Sequence, residues 1–125
     1  MNIKNPIEVA DRVMTDSPHC FFAGAGANRF AEKQGFKEIT DGSLKSKYAV
    51  KALEMFKADL GVTNEIGHED GETARGTVGA VALDLDGNLA AGTSTGGITG
   101  KLVGRVGDTP IIGAGVYADN ATGEK

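Results

Sequence analysis

The sequence predicts an α+β fold, with helices in the first half of the chain and strands in the second. Three stretches before residue 60 carry apolar residues at helical spacing. After residue 76 the pattern changes to short runs of small and β-branched residues, separated by glycine-containing turns. The length of 125 residues suits one ordinary domain at most.

The first helix is predicted over roughly residues 6–15. Asn5 is placed as its N-cap, and Pro6 occupies the first helical position, where its missing N–H costs nothing. Ser17-Pro18 ends the helix, because a proline disfavours helical backbone in the residue before it. Residues 19–22 then form a short strand candidate.

Two further helices are predicted before residue 60. The second covers residues 27–34 and is stopped by Gly35, a typical C-terminal residue. A turn with an N-cap at residues 41–43 introduces the third helix, which extends to about residue 58. Its apolar stripe consists of Ala49, Leu53 and Phe56.

The composition excludes several classes of partner. The formal net charge is -4 and the 13 Lys and Arg residues are not clustered, so we expect neither nucleic acid nor an anionic membrane as a partner. No apolar run approaches the roughly 20 residues of a membrane span, and no signal peptide opens the chain. The single cysteine excludes an internal disulfide and is compatible with a reducing compartment. A cytoplasmic location is therefore expected.

Two motifs partly match a cofactor-binding or a metal-binding pattern, but each lacks residues that the pattern needs. Gly24 and Gly26 begin a dinucleotide-binding pattern, but Arg29 stands where its third glycine is needed. The run 68–70, His-Glu-Asp, has metal-ligating side chains without further ligands at suitable spacing. We expect no cofactor and no metal site.

An abrupt change of pattern occurs at Gly76-Thr77. The polar, acidic stretch 61–76 is interpreted either as a surface loop or as a processing linker, and a buried strand begins immediately after it. Thr77 can be an ordinary first strand residue. It can equally be a nucleophile that attacks the carbonyl of Gly76, after which its hydroxyl and freed α-amine serve covalent catalysis.

Downstream of Thr77 the pattern is strand, turn, strand. Asp86-Gly87-Asn88 is a hairpin turn between the first strand and a second at residues 89–93. Residues 93–97 gather hydroxyls and glycines at the end of that strand, and residues 111–117 form another buried strand.

A cation and an anion lie three residues apart on a glycine-flanked loop. Arg105 and Asp108 can form a surface salt bridge with each other. Alternatively, they can bind the two ends of a zwitterion: the guanidinium takes an α-carboxylate in a bidentate fork, and the carboxylate takes an α-ammonium.

Most of the chain resembles the plant-type L-asparaginase/isoaspartyl aminopeptidase family, which belongs to the N-terminal-nucleophile hydrolases and is related to the glycosylasparaginases. Two segments are similar to the start of its β-subunit, GTVGAVALDLDGNLAAGTSTGG (76–97) and GRVGDTPIIGAGVYADN (104–120). The region 3–36 resembles the later part of its α-subunit.

The resemblance implies a four-layer αββα sandwich and self-cleavage before the nucleophilic threonine. It also implies an αβ heterodimer that pairs again into (αβ)₂, a homo-oligomer. Residues 1–76 would be the later part of the α-subunit, ending in an acidic linker over about 61–76. Residues 77–125 would be the N-terminal part of the β-subunit.

The resemblance also assigns roles to individual residues. The nucleophile falls on Thr77, and the threonine that hydrogen-bonds near it falls on Thr95. The ligand of the substrate's α-carboxylate falls on Arg105, and that of the α-amino group falls on Asp108. Gly76, on the other side of the cleavage site, fits the plant-type branch.

Two departures from the family pattern lead us to expect a central portion of an enzyme. The family's opening segment, with its HGGAG strand and cation-binding loop, has no counterpart in the sequence. Thr122-Gly123 is either a remnant of the Thr-Gly pair that forms the oxyanion hole, or, as we favour, a turn that precedes that pair in a longer protein.

The expected function is that of an amidohydrolase that cleaves the side-chain amide of L-asparagine, β-aspartyl dipeptides, or both. The alternative is a truncated, catalytically incomplete member that folds or associates without activity. A threonine endopeptidase of the taspase type is a weaker possibility.

Overall fold

The computed structural model of the protein describes residues 2–58 and 76–121. These residues form three helices followed by two strands, so the fold is mixed α and β. They belong to two compact units, Met1–Thr63 and Asn64–Lys125. None of the helices in the described ranges is long and apolar enough to cross a membrane.

Helix α1, Pro6–Asp16, confirms the first predicted helix. Asn5 precedes it, but its side chain makes no cap hydrogen bond to the helix backbone. Instead its Nδ2 donates to the Glu8 carboxylate at 2.7 Å. Arg12 and Asp16, one turn apart, form an exposed ion pair at 3.3 Å.

Helix α2, Gly24–Lys33, begins three residues before the predicted start at residue 27. Its predicted end is confirmed, because Gly35 follows with a φ of 84°, the left-handed conformation that glycine adopts without penalty.

Residues 19–22 do not form a strand, so that prediction was wrong. Their rings serve packing instead: Phe22 stacks on Phe30 of α2 at 4.8 Å between centroids. His19 meets Phe22 edge-on at 5.2 Å. Aromatic residues raise strand propensity, but a strand also needs a neighbouring ladder, and this segment pairs with none among the described residues.

Helix α3, Lys47–Lys57, confirms the third predicted helix but not its cap. Ser46 caps it by accepting a hydrogen bond from the Ala49 N–H at 3.1 Å. The turn at Asp41 lies further upstream, where the Asp41 carboxylate accepts the Ser43 N–H at 2.9 Å.

A small apolar core holds the helical unit together. It consists of Ile3, Val9 and Ala31, with Phe30 and Phe36 packed against it. Ala31 is completely buried and Val9 is 4% exposed, so α1 and α2 meet at this point.

The second unit is built on an antiparallel hairpin. Strand β1, Thr77–Leu83, pairs with β2, Leu89–Thr95, in a register that places Thr77 opposite Thr95. The predicted strand–turn–strand pattern is confirmed, and β2 extends two residues beyond residue 93. Every residue of β1 is exposed, so the prediction that this strand is buried was wrong. Among the described residues the sheet has two strands, too few to cover the apolar side chains of β1.

The hairpin turn is held by one carboxylate. Asp84 accepts the Asp86 N–H at 2.9 Å, and it accepts the Asn88 N–H and side-chain amide at 2.7 and 2.8 Å. These hydrogen bonds, the Asn88 side-chain amide foremost, hold the pKa of Asp84 below its ordinary value. Gly87 completes the turn with a φ of 85°.

Residues 111–117 are not a buried strand, which corrects the second strand prediction. They form turns with one bridge between Ile112 and Val116, and Ile112 is 68% exposed. Gly113 has a φ of 84°, which is incompatible with extended backbone, so the apolar pattern cannot run as one strand through it.

Candidate active site

A side-chain hydrogen bond crosses the open end of the hairpin at Gly76-Thr77. The Thr95 hydroxyl donates to the Gly76 carbonyl oxygen at 3.1 Å. This carbonyl belongs to the peptide bond that was predicted from the sequence as the cleavage site. Because Thr95 stands opposite Thr77 in the ladder, the register itself brings the two threonines together.

Thr95 is oriented from its other side by Gly97. The Gly97 N–H donates to the Thr95 Oγ1 at 3.1 Å, so the hydroxyl both accepts and donates a hydrogen bond. Such a relay polarises the hydroxyl and strengthens it as a donor. The geometry draws electron density away from the Gly76 carbonyl carbon, which favours attack by a nucleophile.

The space at Gly76 does not by itself require glycine. A Cβ placed there would lie 3.9 Å from the Thr95 Oγ1, an ordinary van der Waals distance. In this region the position that requires glycine is Gly97, because its φ of 75° lies in the left-handed region.

Arg105 lies beside the turn that follows Thr95. A Cβ at Gly97 would approach its Nη1 to 3.4 Å, and one at Gly107 would approach it to 3.1 Å. The guanidinium therefore lies against Gly97 and Gly107, and a side chain at these positions would displace it. The structure places this cation next to the Thr95 turn.

Asp108 is exposed and lies on the same loop as Arg105. The surface salt bridge between the two is not formed; within the described ranges the ion pair is Arg12–Asp16 of α1. The Asp108 main-chain carbonyl accepts the Ile111 N–H at 2.8 Å, which closes the turn after it.

Lys101 is a neighbour of the site that sequence reasoning missed. Its Nζ donates to the Gly96 carbonyl at 2.8 Å, and its Cδ would lie 3.3 Å from a Cβ at Gly97. Gly97 is therefore flanked by the carbon chain of Lys101 and the guanidinium of Arg105. The available signal was its position, since it is the sole basic residue between Thr95 and Arg105.

Thr93 is the second residue that was missed. Its hydroxyl donates to the Thr109 carbonyl at 3.2 Å, in a partly buried contact that joins β2 to the loop carrying Asp108. Thr93 and Thr95 are two residues apart on β2 and therefore share one face of the hairpin.

The far end of the hairpin is tied to the segment around Asn120. Its Oδ1 accepts the Leu89 N–H at 2.6 Å, and its Nδ2 donates to the Asn88 Oδ1 at 3.1 Å. The neighbouring Asp119 accepts hydrogen bonds from the Ala121 N–H and the Tyr117 hydroxyl, which hold the pKa of Asp119 below its ordinary value.

Several sequence predictions fall outside the described residues. The candidate oxyanion residues Thr122 and Gly123, the histidine-containing run 68–70 and nearly all of the linker 61–76 lie there. Over the ranges that are described, no three His, Cys, Asp or Glu side chains are grouped as metal ligands.

The chain is similar to known proteins over almost its whole length. A family model described as Asparaginase matches residues 1–124. The chain belongs to the asparaginase family. It is 50% identical over 121 residues to the isoaspartyl peptidase/L-asparaginase of Mus musculus, covering 97% of the chain and 36% of that relative.

Two further relatives match the chain with similar identity and over a similar share of its length. The isoaspartyl peptidase/L-asparaginase of Homo sapiens is 49% identical over 121 residues, which is 97% of the chain and 38% of that relative. The isoaspartyl peptidase of Escherichia coli (strain K12) is 48% identical over 126 residues, with the same two shares. The chain thus spans little more than a third of the length of the curated relatives it matches.

Proposed function

We propose that this chain supplies the nucleophile and the substrate-binding loop of an amidohydrolase that acts on L-asparagine, β-aspartyl dipeptides, or both. The observation that carries the proposal is the hydrogen bond from the Thr95 hydroxyl to the Gly76 carbonyl. It lies at the one peptide bond whose cleavage would make Thr77 an N-terminal nucleophile.

The proposed self-cleavage, in the complete fold, makes use of that hydrogen bond. The Thr77 hydroxyl adds to the Gly76 carbonyl carbon, while Thr95 donates to the carbonyl oxygen as negative charge develops on it. The C–N bond then breaks, the hydroxyl proton passes to the departing nitrogen, and the acyl group of Gly76 remains on the Thr77 oxygen as an ester. Water hydrolyses the ester, which leaves a Gly76 carboxylate and a free α-amine on Thr77.

Substrate hydrolysis uses the same hydroxyl. The freed α-amine of Thr77 accepts the hydroxyl proton, and the oxygen attacks the side-chain carbonyl of the substrate. A β-aspartyl ester forms as the α-ammonium returns that proton to the leaving nitrogen, which departs as ammonia or as the amine of the next residue. Water then hydrolyses the ester, which releases aspartate and restores the Thr77 hydroxyl. The Arg105 guanidinium binds the α-carboxylate and Asp108 the α-ammonium.

The names of the relatives support this reaction class, since they are isoaspartyl peptidase/L-asparaginase and isoaspartyl peptidase. We further propose a boundary between α- and β-subunit at residues 76 and 77, the four-layer αββα sandwich and an (αβ)₂ assembly. The reaction needs no cofactor, and the proposed location is the cytoplasm.

A chimera tests the proposal in a complete fold. Residues 1–125 replace the matching segment of the Escherichia coli isoaspartyl peptidase, to which they are 48% identical. We expect release of ammonia from L-asparagine or of aspartate from a β-aspartyl dipeptide. Thr77→Ala should reduce the rate on the order of 10⁴-fold or more, whereas Thr77→Ser should retain part of it.

A chimera that folds with an unchanged melting temperature but hydrolyses neither substrate would contradict the proposal. Activity retained in Thr77→Ala would contradict the nucleophile assignment specifically. The two outcomes are distinct, because the second leaves the reaction class intact.

The exposure of β1 supports a second candidate for the 125 residues by themselves, namely association without activity. A nucleophile on a strand exposed along its whole length is not held rigidly against its target. We therefore expect the isolated chain to remain uncut and inactive. Light scattering and electrophoresis after prolonged incubation check this, and two stable fragments would contradict it.

A threonine endopeptidase is disfavoured, because Arg105 and Asp108 suit a small amino-acid head group.

A further inference from the structure

We propose that Thr93 is a positioning residue that fixes the substrate-binding loop relative to the nucleophile. The proposal rests on the proposed function for its consequence, but its geometry is independent of it. Thr93 lies two residues before Thr95 on β2, and its hydroxyl donates to the main-chain carbonyl of Thr109, directly after Asp108.

The rotamer of the Thr93 side chain depends on the glycine opposite it in the ladder. A Cβ at Gly79 would lie 3.3 Å from the methyl carbon of Thr93, Cγ2. Such a side chain would press on the methyl group and turn the hydroxyl away from Thr109. Glycine at position 79 thus leaves room for the rotamer in which the Thr93 hydroxyl reaches Thr109.

The loop that contains Thr109 is also closely packed, here against the backbone of Gly115. A Cβ at Gly115 would overlap the Thr109 carbonyl, so the backbone at Gly115 passes directly against it. The Thr109 Oγ1 is buried without a hydrogen-bond partner among the described residues. Its main-chain carbonyl, by contrast, receives the hydroxyl of Thr93. The hydrogen bond from the Thr93 hydroxyl to the Thr109 carbonyl therefore joins β2 to the loop that carries Asp108.

The consequence for binding is geometric. Thr95 polarises the Gly76 carbonyl at the end of β2, and Asp108 precedes the residue that Thr93 holds. A substrate that spans from the nucleophile to its α-ammonium ligand needs these two points at a fixed separation. Loss of the Thr93 hydroxyl should therefore weaken substrate binding without affecting self-cleavage, because no substrate takes part in that step.

The direct test is amide hydrogen exchange in the 125-residue chain. Thr93→Val keeps the shape but removes the hydroxyl, and it should speed exchange at Ile111, whose N–H bonds the Asp108 carbonyl, about three- to tenfold. Thr93→Ser should restore the slow rate. The Asp84 N–H, bonded to the Asn88 carbonyl at the far end of the hairpin, is the internal reference.

Ser94→Val is the matched control, because Ser94 is adjacent on β2 but faces the opposite side of the hairpin. It should leave Ile111 exchange unchanged. Equal exchange at Ile111 in the Val and Ser variants of Thr93 would overturn the proposal. So would equal acceleration at Ile111 and Asp84, which would indicate general destabilisation.

Calorimetric titration of the chimera with L-aspartate gives the functional readout. Thr93→Val should raise the Kd about three- to tenfold, and Thr93→Ser should restore it. If the chimera with Thr93 unchanged binds no L-aspartate, the assigned roles of Arg105 and Asp108 fail, while the exchange experiment still decides the role of Thr93. Unchanged L-aspartate affinity in a binding-competent Thr93→Val would overturn the functional part.

Discussion

The helical unit and the hairpin unit are stabilised in different ways. The helical unit has a core at Val9 and Ala31, with aromatic residues packed against it. The buried apolar residues among those described all lie in that unit. The hairpin unit has β1 exposed along its whole length, and polar contacts of Thr93, Thr95 and Asn120 connect its parts.

The proposed chemistry lies in the unit with less packing of its own. Turns, close glycine contacts and single hydrogen bonds position Thr95 and the loop of Arg105 and Asp108. Each hydrogen bond of this kind contributes only about 0.5–1.5 kcal/mol. The site geometry is therefore more sensitive to local changes than the helical unit, and paired substitutions in the two units can test this.

The largest expected contrast comes from the same substitution in the two units. Gly115→Ala places a methyl group into the Thr109 carbonyl and should destabilise the hairpin unit by about 2–4 kcal/mol. In the helical unit, Gly26 of α2 has nothing within 4 Å of an added Cβ. Gly26→Ala should stabilise by about 0.5–1 kcal/mol.

Chemical denaturation of the two variants, monitored by residue-resolved amide signals, measures both effects. Hairpin signals should unfold earlier in Gly115→Ala, with helical signals little changed. A neutral Gly115→Ala would show that the Thr109 contact yields easily, and the proposed tight seat of the loop would be wrong.

A smaller contrast concerns arginine chemistry. Arg105→Lys keeps the charge but loses the planar fork, so KM for L-asparagine in the chimera should rise by the equivalent of about 1–3 kcal/mol. Self-cleavage should be unaffected, because no external carboxylate takes part. Arg12→Lys on α1 is the control, since Arg12 forms only an exposed ion pair with Asp16. Equal KM values for both variants would remove Arg105 from the substrate site.

The smallest expected effect is a pH dependence confined to the hairpin turn. The folded pKa of Asp84 is held below 3.8, first by the Asn88 side-chain amide, so its carboxylate favours the folded turn. This contribution is present above 3.8 and is lost as pH falls through the lower, folded pKa. NMR titration of Asp84 should give a midpoint below 3.8 that rises in Asn88→Ala. An unchanged midpoint in that variant would reject the cause.

The sequence predicted elements whose signals are local. Helix α1 follows from Pro6 and the apolar spacing after it, and the hairpin follows from the turn residues at Gly87. The strand expected at residues 19–22 failed because strand propensity says nothing about whether a partner strand is present. The strand expected at residues 111–117 failed because the apolar pattern did not reveal the left-handed conformation of Gly113.

The residues of the candidate site, like the helices and strands, could be predicted only in part from the sequence. Resemblance to a family assigned Thr77, Thr95, Arg105 and Asp108, and the structure brings Thr95 and Arg105 to the same glycine turn. The contacts of Thr93 and Lys101 were not predictable, because they depend on the strand register and on the positive φ of Gly97. Their residue types alone suggested nothing beyond a strand residue and a surface cation.

The most direct test of self-cleavage is N-terminal sequencing and intact-mass analysis of the purified chimera. We expect two polypeptides, one of which begins Thr77-Val78-Gly79. Thr77→Ala should give a single uncut polypeptide, and Thr95→Val should slow the cut because the Gly76 carbonyl loses its donor. A folded chimera that stays in one piece, is cut at another bond, or is cut equally well in Thr77→Ala would contradict the central claim.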